Sequence, residues 1–186
     1  MAATESKMLA LGTPLPAFTL PDVLSGRKVS SEALVGPKGA LVMFICNHCP
    51  YVIHIRPRLV EVAHRALAEG FAAVAINSNS VLSHPQDGPG PMRELGTAEG
   101  WRFPFLFDET QEVAHRFGAA CTPDLFLFDA ARRLAYRGQF DDARPGKPAP
   151  VTGRDLQAAL DAVAAGASPG PRQVPSIGCN IKWHPG

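Results

Sequence analysis

The chain has 186 residues, 46% of them hydrophobic and 19% charged, which is enough for one domain with a true core and too little charge for a disordered chain. Eighteen Lys and Arg stand against seventeen Asp and Glu, so there is no basic excess to bind nucleic acid or an anionic membrane. The N-terminus has no basic start ahead of a long apolar core, and no apolar run approaches the roughly 18 residues of a membrane helix; the expectation is a single cytoplasmic domain with neither kind of partner.

In chain order, "AFTL" and "RKVS" predict a short N-terminal hairpin across "PDVLSG". "ALVMFI" is apolar without alternation, as in a central strand covered on both faces. From Cys46 the pattern turns helical: Val52, Leu59, Val60, Ala63, Ala66 and Leu67 fall on one stripe, and Gly70 ends it. Pro50 lies in the first turn and Pro57 inside, where a kink is expected. "FAAVAIN" is a second buried strand. A Pro/Gly-rich loop, "SHPQDGPGP", leads to a short helix around Met92 to Glu99. "GPGPMRELG" lacks the Lys-Ser/Thr of a phosphate loop.

"FPFLFD" is a third strand. "DETQEVAHRFG" is a helix with Asp108 as N-cap, Gln111 at the capping-box position and Gly118 as stop. "DLFLFD" and "RLAYRGQF" are strands joined by a turn near Ala130 to Arg132. "TGRDLQAALDAVAAG" is a final helix with Thr152 and Asp155 as its box, and the tail from about residue 167 reads as irregular. The alternation predicts an α/β fold, a central mixed sheet with helices on both faces.

Cys46 and Cys49 carry the chemistry. In a reducing compartment four cysteines serve catalysis or metal binding more often than structure. Three readings stand: a redox couple, a half metal site completed by His48 or His54, and two buried thiols. The context of the pair favours the first. Cys46 follows a buried strand and meets a helix N-terminus, whose free N–H groups stabilise a thiolate. Cys49, three residues on, is expected one turn deeper. No second C-x-x-C or H-x-H completes a zinc set. Later, Thr122-Pro123 opens an apolar strand, and X-Pro is the peptide bond that is commonly cis.

"FICNHCPYV", "DETQEVAHRFGAACTPDLFLFD", "VTGRDLQAAL" and "SIGCNIKW" together resemble the peroxiredoxin-like thioredoxin proteins of bacteria. These form a redoxin branch of the thioredoxin fold, near the TlpA/ResA type. The resemblance covers nearly the whole chain. It implies one thioredoxin-like domain over 1–186, with an N-terminal hairpin and one added strand-helix unit. It implies thiol–disulfide exchange, with Cys46 the exposed nucleophile and Cys49 the resolving thiol. Pro123 would be a cis-proline facing them, and Thr122 would offer its backbone to a docked substrate chain. The partners implied are a protein or small-molecule disulfide and a cellular thiol reductant, with no cofactor and no metal.

Two departures bear on the couple. Ile45 replaces the usual Trp, and Asn47-His48 replaces Gly-Pro. A protonated His48 beside the cysteines would favour the thiolate and a more oxidising couple. Thiol peroxidase activity is the alternative, but the Thr or Ser it needs three residues before the cysteine is Met43. Cys121 and Cys179 are either buried small hydrophobes or a further thiol that resolves the pair, with Cys121 the better placed. His64 and His115 read as surface residues, and Asp108, Asp141 and Asp142 as turn or cap residues.

Overall fold

A computed structural model describes residues 3–34 and 36–185. Among them the elements run β1 (Ala3–Glu5), β2 (Thr19–Pro21), β3 (Lys28–Ser30), β4 (Gly39–Phe44), α1 (Pro50–Ala68), β5 (Phe71–Asn77), α2 (Pro89–Ala98), β6 (Phe105–Phe107), α3 (Glu112–Phe117), β7 (Cys121–Thr122), β8 (Asp124–Asp129), β9 (Leu134–Gly138), α4 (Arg154–Ala164) and β10 (Ile177–Asn180). The main sheet has the order β6-β5-β4-β8-β9. β4, β5 and β6 are parallel, and β8 and β9 run antiparallel to their neighbours. β2 and β3 form the expected hairpin. β5 and α2 supply the added strand-helix unit.

The unbroken apolar run of β4 follows from its place. Leu41 and Met43 face one core with Val52, Leu59 and Ala63 of α1 and Leu160 of α4. Val42 and Phe44 face the other with Val113 and Phe117 of α3 and Phe126 of β8. Both faces are covered, so neither face of β4 needs polar residues. Phe117 meets Phe44 and Phe126 edge-on at 5.2 and 5.4 Å between centroids. None of the helices among the described residues is long and apolar enough to cross a membrane.

Three local expectations change. α1 starts at Pro50, after both cysteines, and Cys49 is its N-cap with ψ 122°. Proline disfavours helical backbone in the residue before it, which holds Cys49 out of the first turn. Neither capping box forms. Gln111, at φ 64°, precedes α3, and the Asp108 carboxylate accepts from Val113 N and Ala114 N instead. Gly153 precedes α4 at φ 70°, and Asp141 accepts from Thr152 N and Gly153 N.

The third change concerns the tail. It is not irregular throughout: β10 pairs antiparallel with both β1 and β7, in a second sheet of order β1-β10-β7. Ser6 N donates to Ser176 O, and Ile181 N to Ala120 O, fixing both ends of the strand.

Candidate active site

β4 delivers Cys46 two residues beyond its end, and α1 delivers Cys49 at its head. Both are buried, Cys46 at 1% exposure and Cys49 at 0%. The expected exposed nucleophile is therefore a covered sulfur. All four cysteines are free thiols.

β7 closes the other side of the pair. The Thr122–Pro123 peptide is cis. Thr122 O lies 3.1 Å from Cys49 Sγ, and Thr122 Oγ1 lies 3.4 Å from Cys46 Sγ. Thr122 thus touches both sulfurs. Its backbone is not a free docking edge, because Cys179 of β10 is its antiparallel partner.

The Pro/Gly-rich loop before α2 supplies the group that sequence reasoning missed. Asp87 is fully buried. Its carboxylate accepts from Asn47 N at 2.9 Å, from His48 Nδ1 at 2.6 Å and from Asn79 Nδ2 at 2.8 Å. Asn47 Nδ2 donates to Gln86 O, and the His84 ring stacks on His48 at 4.6 Å. These contacts pin the two residues between the cysteines. They also change the role expected of His48. Its Nδ1 is engaged by Asp87, while Cys46 Sγ lies 3.9 Å from the same nitrogen. The second ring nitrogen, Nε2, is buried without a protein partner. His48 brings an acid to the site rather than acting alone as a cation beside the thiolate.

The two thiols are driven apart. Cys49 is pulled down to about 5, first by the hydrogen bond from Cys46, against burial, with further help from Cys179, Thr122 and the Val52 N–H at the head of α1. Cys46 is pushed well up by that same shared proton, then by burial and the negative charge of Asp87. These shifts favour ionisation of Cys49 over that of Cys46. When Cys49 carries the proton instead, Thr122 O accepts from it.

Of the two further cysteines, the structure brings Cys179 to the site and turns Cys121 away. Directly opposed residues of an antiparallel pair share a face, and successive residues alternate. Thr122 faces the cysteines, so its partner Cys179 does too. Cys121 pairs with Asn180 on the other face, where its thiol donates to Pro123 O at 3.5 Å and burial pushes it up.

The metal reading gathers a different set. Cys46, His48 and Asp87 offer ligand atoms within 4.8 Å of one another, and Cys49 and His54 fall outside that group. A second buried acid lies beyond the cis peptide. Burial pushes Asp124 up to about 7, against hydrogen bonds from Ser6 and the amides of Ala120, Leu125 and Cys121. The Ser6 contact is loose, since neither Ser6 Oγ nor Asp124 Oδ1 makes a well-formed bond. His64 accepts from Arg102 N and His115 stacks on Trp183, both away from the sulfurs.

Comparison with known proteins places these observations among a family and several solved structures. The model of the AhpC/TSA family matches residues 11–137. The crystal structure of an uncharacterized conserved protein from Geobacillus kaustophilus is 46% identical, with a TM-score of 0.97, covering 100% of this chain and 98% of that one. A hypothetical protein from Sinorhizobium meliloti is 48% identical, with a TM-score of 0.95, covering 98% and 100%. A thiol:disulfide interchange protein of the thioredoxin family from Chlorobium tepidum shares the fold at 22% identity, with a TM-score of 0.63 over 83% of this chain and 98% of that one. Among curated proteins none matches.

Proposed function

We propose, because the chain belongs to the AhpC/TSA family and sets two buried cysteines at the head of a helix, both touched by Thr122, that it is a thiol–disulfide oxidoreductase working through a Cys46–Cys49 couple. Its family and fold make it a redoxin, of oxidoreductase or peroxidase type. The observation that carries the finer reading is Thr122, whose carbonyl accepts from Cys49 Sγ at 3.1 Å and whose hydroxyl lies 3.4 Å from Cys46 Sγ.

With the proton on Cys49, the thiolate is on Cys46, with Thr122 Oγ1 as its donor and Thr122 O accepting from Cys49. Cys46 attacks a substrate disulfide and one substrate thiolate leaves. Cys49 gives up its proton and attacks Cys46 Sγ, and the second substrate sulfur leaves as a thiol. A thiol reductant of the cytoplasm restores the pair. The two electrons come from the cysteines, so the scheme uses no cofactor or metal.

Purified protein supplied with dithiothreitol should reduce insulin or glutathione disulfide. Cys46→Ser should abolish this, and Cys49→Ser should accumulate a mixed disulfide on Cys46. Full activity in Cys46→Ser with loss in Cys49→Ser would move the attack to Cys49. No exchange by wild type with either disulfide would end the reading.

One contact favours peroxidase chemistry as a second reading. Position 43 is a buried Met, yet a hydroxyl does reach Cys46, from Thr122 at 3.4 Å. Thr122→Val should then slow peroxide consumption more than disulfide exchange.

A further inference from the structure

The sequence holds a cysteine in its tail that disulfide exchange at Cys46–Cys49 does not use. We infer that Cys179 is a third redox thiol of this site, the internal partner of Cys49, held in place by the C-terminal strand. This rests on the reading of Cys46–Cys49 as an exchange couple and adds a step to it.

Three observations carry it. Cys179 is the cross-strand partner of Thr122, the residue whose atoms touch both active sulfurs. It is buried in the same core as Cys46 and Cys49, and the two thiols Cys49 and Cys179 shift each other's acidity, Cys49 down and Cys179 up. The approach is also built into the backbone. A Cβ on Gly178 would lie 2.0 Å from Thr122 O, so only glycine lets β10 come this close to β7. The strand ends are fixed by Ser6 N to Ser176 O, Ile181 N to Ala120 O and Lys182 N to Asn79 Oδ1. In the resemblance, a docked substrate chain pairs with Thr122. Here the protein's own strand does so and sets a cysteine opposite it.

The step is an exchange between thiols. With the Cys46–Cys49 disulfide formed, Cys179 gives up its proton and attacks Cys49 Sγ. The Cys49–Cys179 bond forms and the Cys46–Cys49 bond breaks. Cys46 leaves as a thiolate and takes the proton. One disulfide replaces another, so no oxidant or reductant is consumed. Cys46 is freed while the oxidising equivalent rests under the tail. Oxidation also eases the attack. Cys179 is pushed up to about 12 by burial first and then by the bond and charge of Cys49. In the disulfide Cys49 carries no charge, and those two effects end.

The test is disulfide mapping after treatment with glutathione disulfide. Trypsin leaves Cys46 and Cys49 together on Gly39–Arg58, because Pro57 blocks cleavage after Arg56, and leaves Cys179 on Gln173–Lys182. Cys46→Ser retains three of the four cysteines. Its free thiols should fall from three to one, with the two peptides linked. Wild type should show the linked pair alongside the internal Cys46–Cys49 disulfide, and Cys121→Ser should behave as wild type. Cys46→Ala serves as a second variant if the serine disturbs folding. Wild type that forms Cys46–Cys49 while Cys46→Ser holds a stable glutathione adduct, with Cys179 still open to alkylation, overturns this inference and leaves the exchange couple standing. If no disulfide forms in either protein, both fall together.

Discussion

Asp87→Ala separates what the loop before α2 does for folding from what it does for the sulfurs. The substitution removes one acceptor group and strands three donors: Asn47 N, His48 Nδ1 and Asn79 Nδ2. Asn79 is 3% exposed, so water cannot replace its partner, whereas His48 and Asn47 are only half-buried. A buried unsatisfied donor costs about 1–3 kcal/mol. With the part-exposed pair re-solvated, the total should be about 2–4 kcal/mol, within the 5–15 kcal/mol of an ordinary domain. Asp87→Asn should cost less, because the amide keeps one oxygen for Asn47 or His48. Both variants remove the negative charge that helps raise the Cys46 thiol. Stability is read by urea unfolding followed by circular dichroism. Acidity is read from the pH dependence of iodoacetamide alkylation in a Cys49→Ser background, which leaves Cys46 as the loop's one thiol. The alkylation midpoint should fall in both variants, while only alanine loses most of the stability. An unmoved or higher midpoint in Asp87→Asn refutes the electrostatic role. Wild-type stability in Asp87→Ala refutes the anchoring role.

Further outcomes follow from the core and the titrating groups. Phe117→Ala empties a fully buried ring contacting Phe44, Phe126 and Phe128 and should cost about 3–5 kcal/mol in urea unfolding. Cys49 is lowered in the fold to about 5 from the usual thiol value of about 8.5. Its contribution is therefore complete above about 8.5 and is lost as pH falls through 5. The stability gap between reduced wild type and Cys49→Ser should widen across that window. Asp124 is raised to about 7 from about 3.9, so its contribution is complete below about 3.9 and lost as pH rises through 7. Asp124→Asn should gain on wild type as pH rises from about 4 to about 7, and an unchanged difference would contradict the burial argument.

Much of the fold was legible because its signals are local. β4, β5 and β8 announce themselves as apolar runs, and the C-x-x-C at a strand-to-helix junction marks the candidate site. The helix start was displaced because Pro50 acts backward on Cys49. The capping boxes failed because Gln111 and Gly153 adopt left-handed backbone. β10 was hidden by composition: "SIGCN" has little strand character, and it becomes a strand because β1 and β7 accept it on both sides. Asp87 was illegible for a different reason. An Asp before Gly in a Pro-rich loop is what any turn contains, and nothing local tells that its carboxylate turns inward. The preference for Cys121 over Cys179 came from sequence distance to Pro123, and strand alternation reversed it.

The site is asymmetric, and the asymmetry explains why both sulfurs can be buried and still differ. Cys49 sits at the head of a 19-residue helix, and Cys46, Cys179 and the Val52 N–H all lower its pKa. Cys46 sits beside the Asp87 charge. A helix N-terminus attracts negative charge and a carboxylate repels it, so the two fields push the thiolate in one direction, onto Cys49. One residue couples the two walls. Asn79 donates to Asp87 through Nδ2 and accepts from Lys182 N through Oδ1, joining the loop that holds Cys46 in register to the tail that carries Cys179. Loosening of either wall is therefore felt at the other.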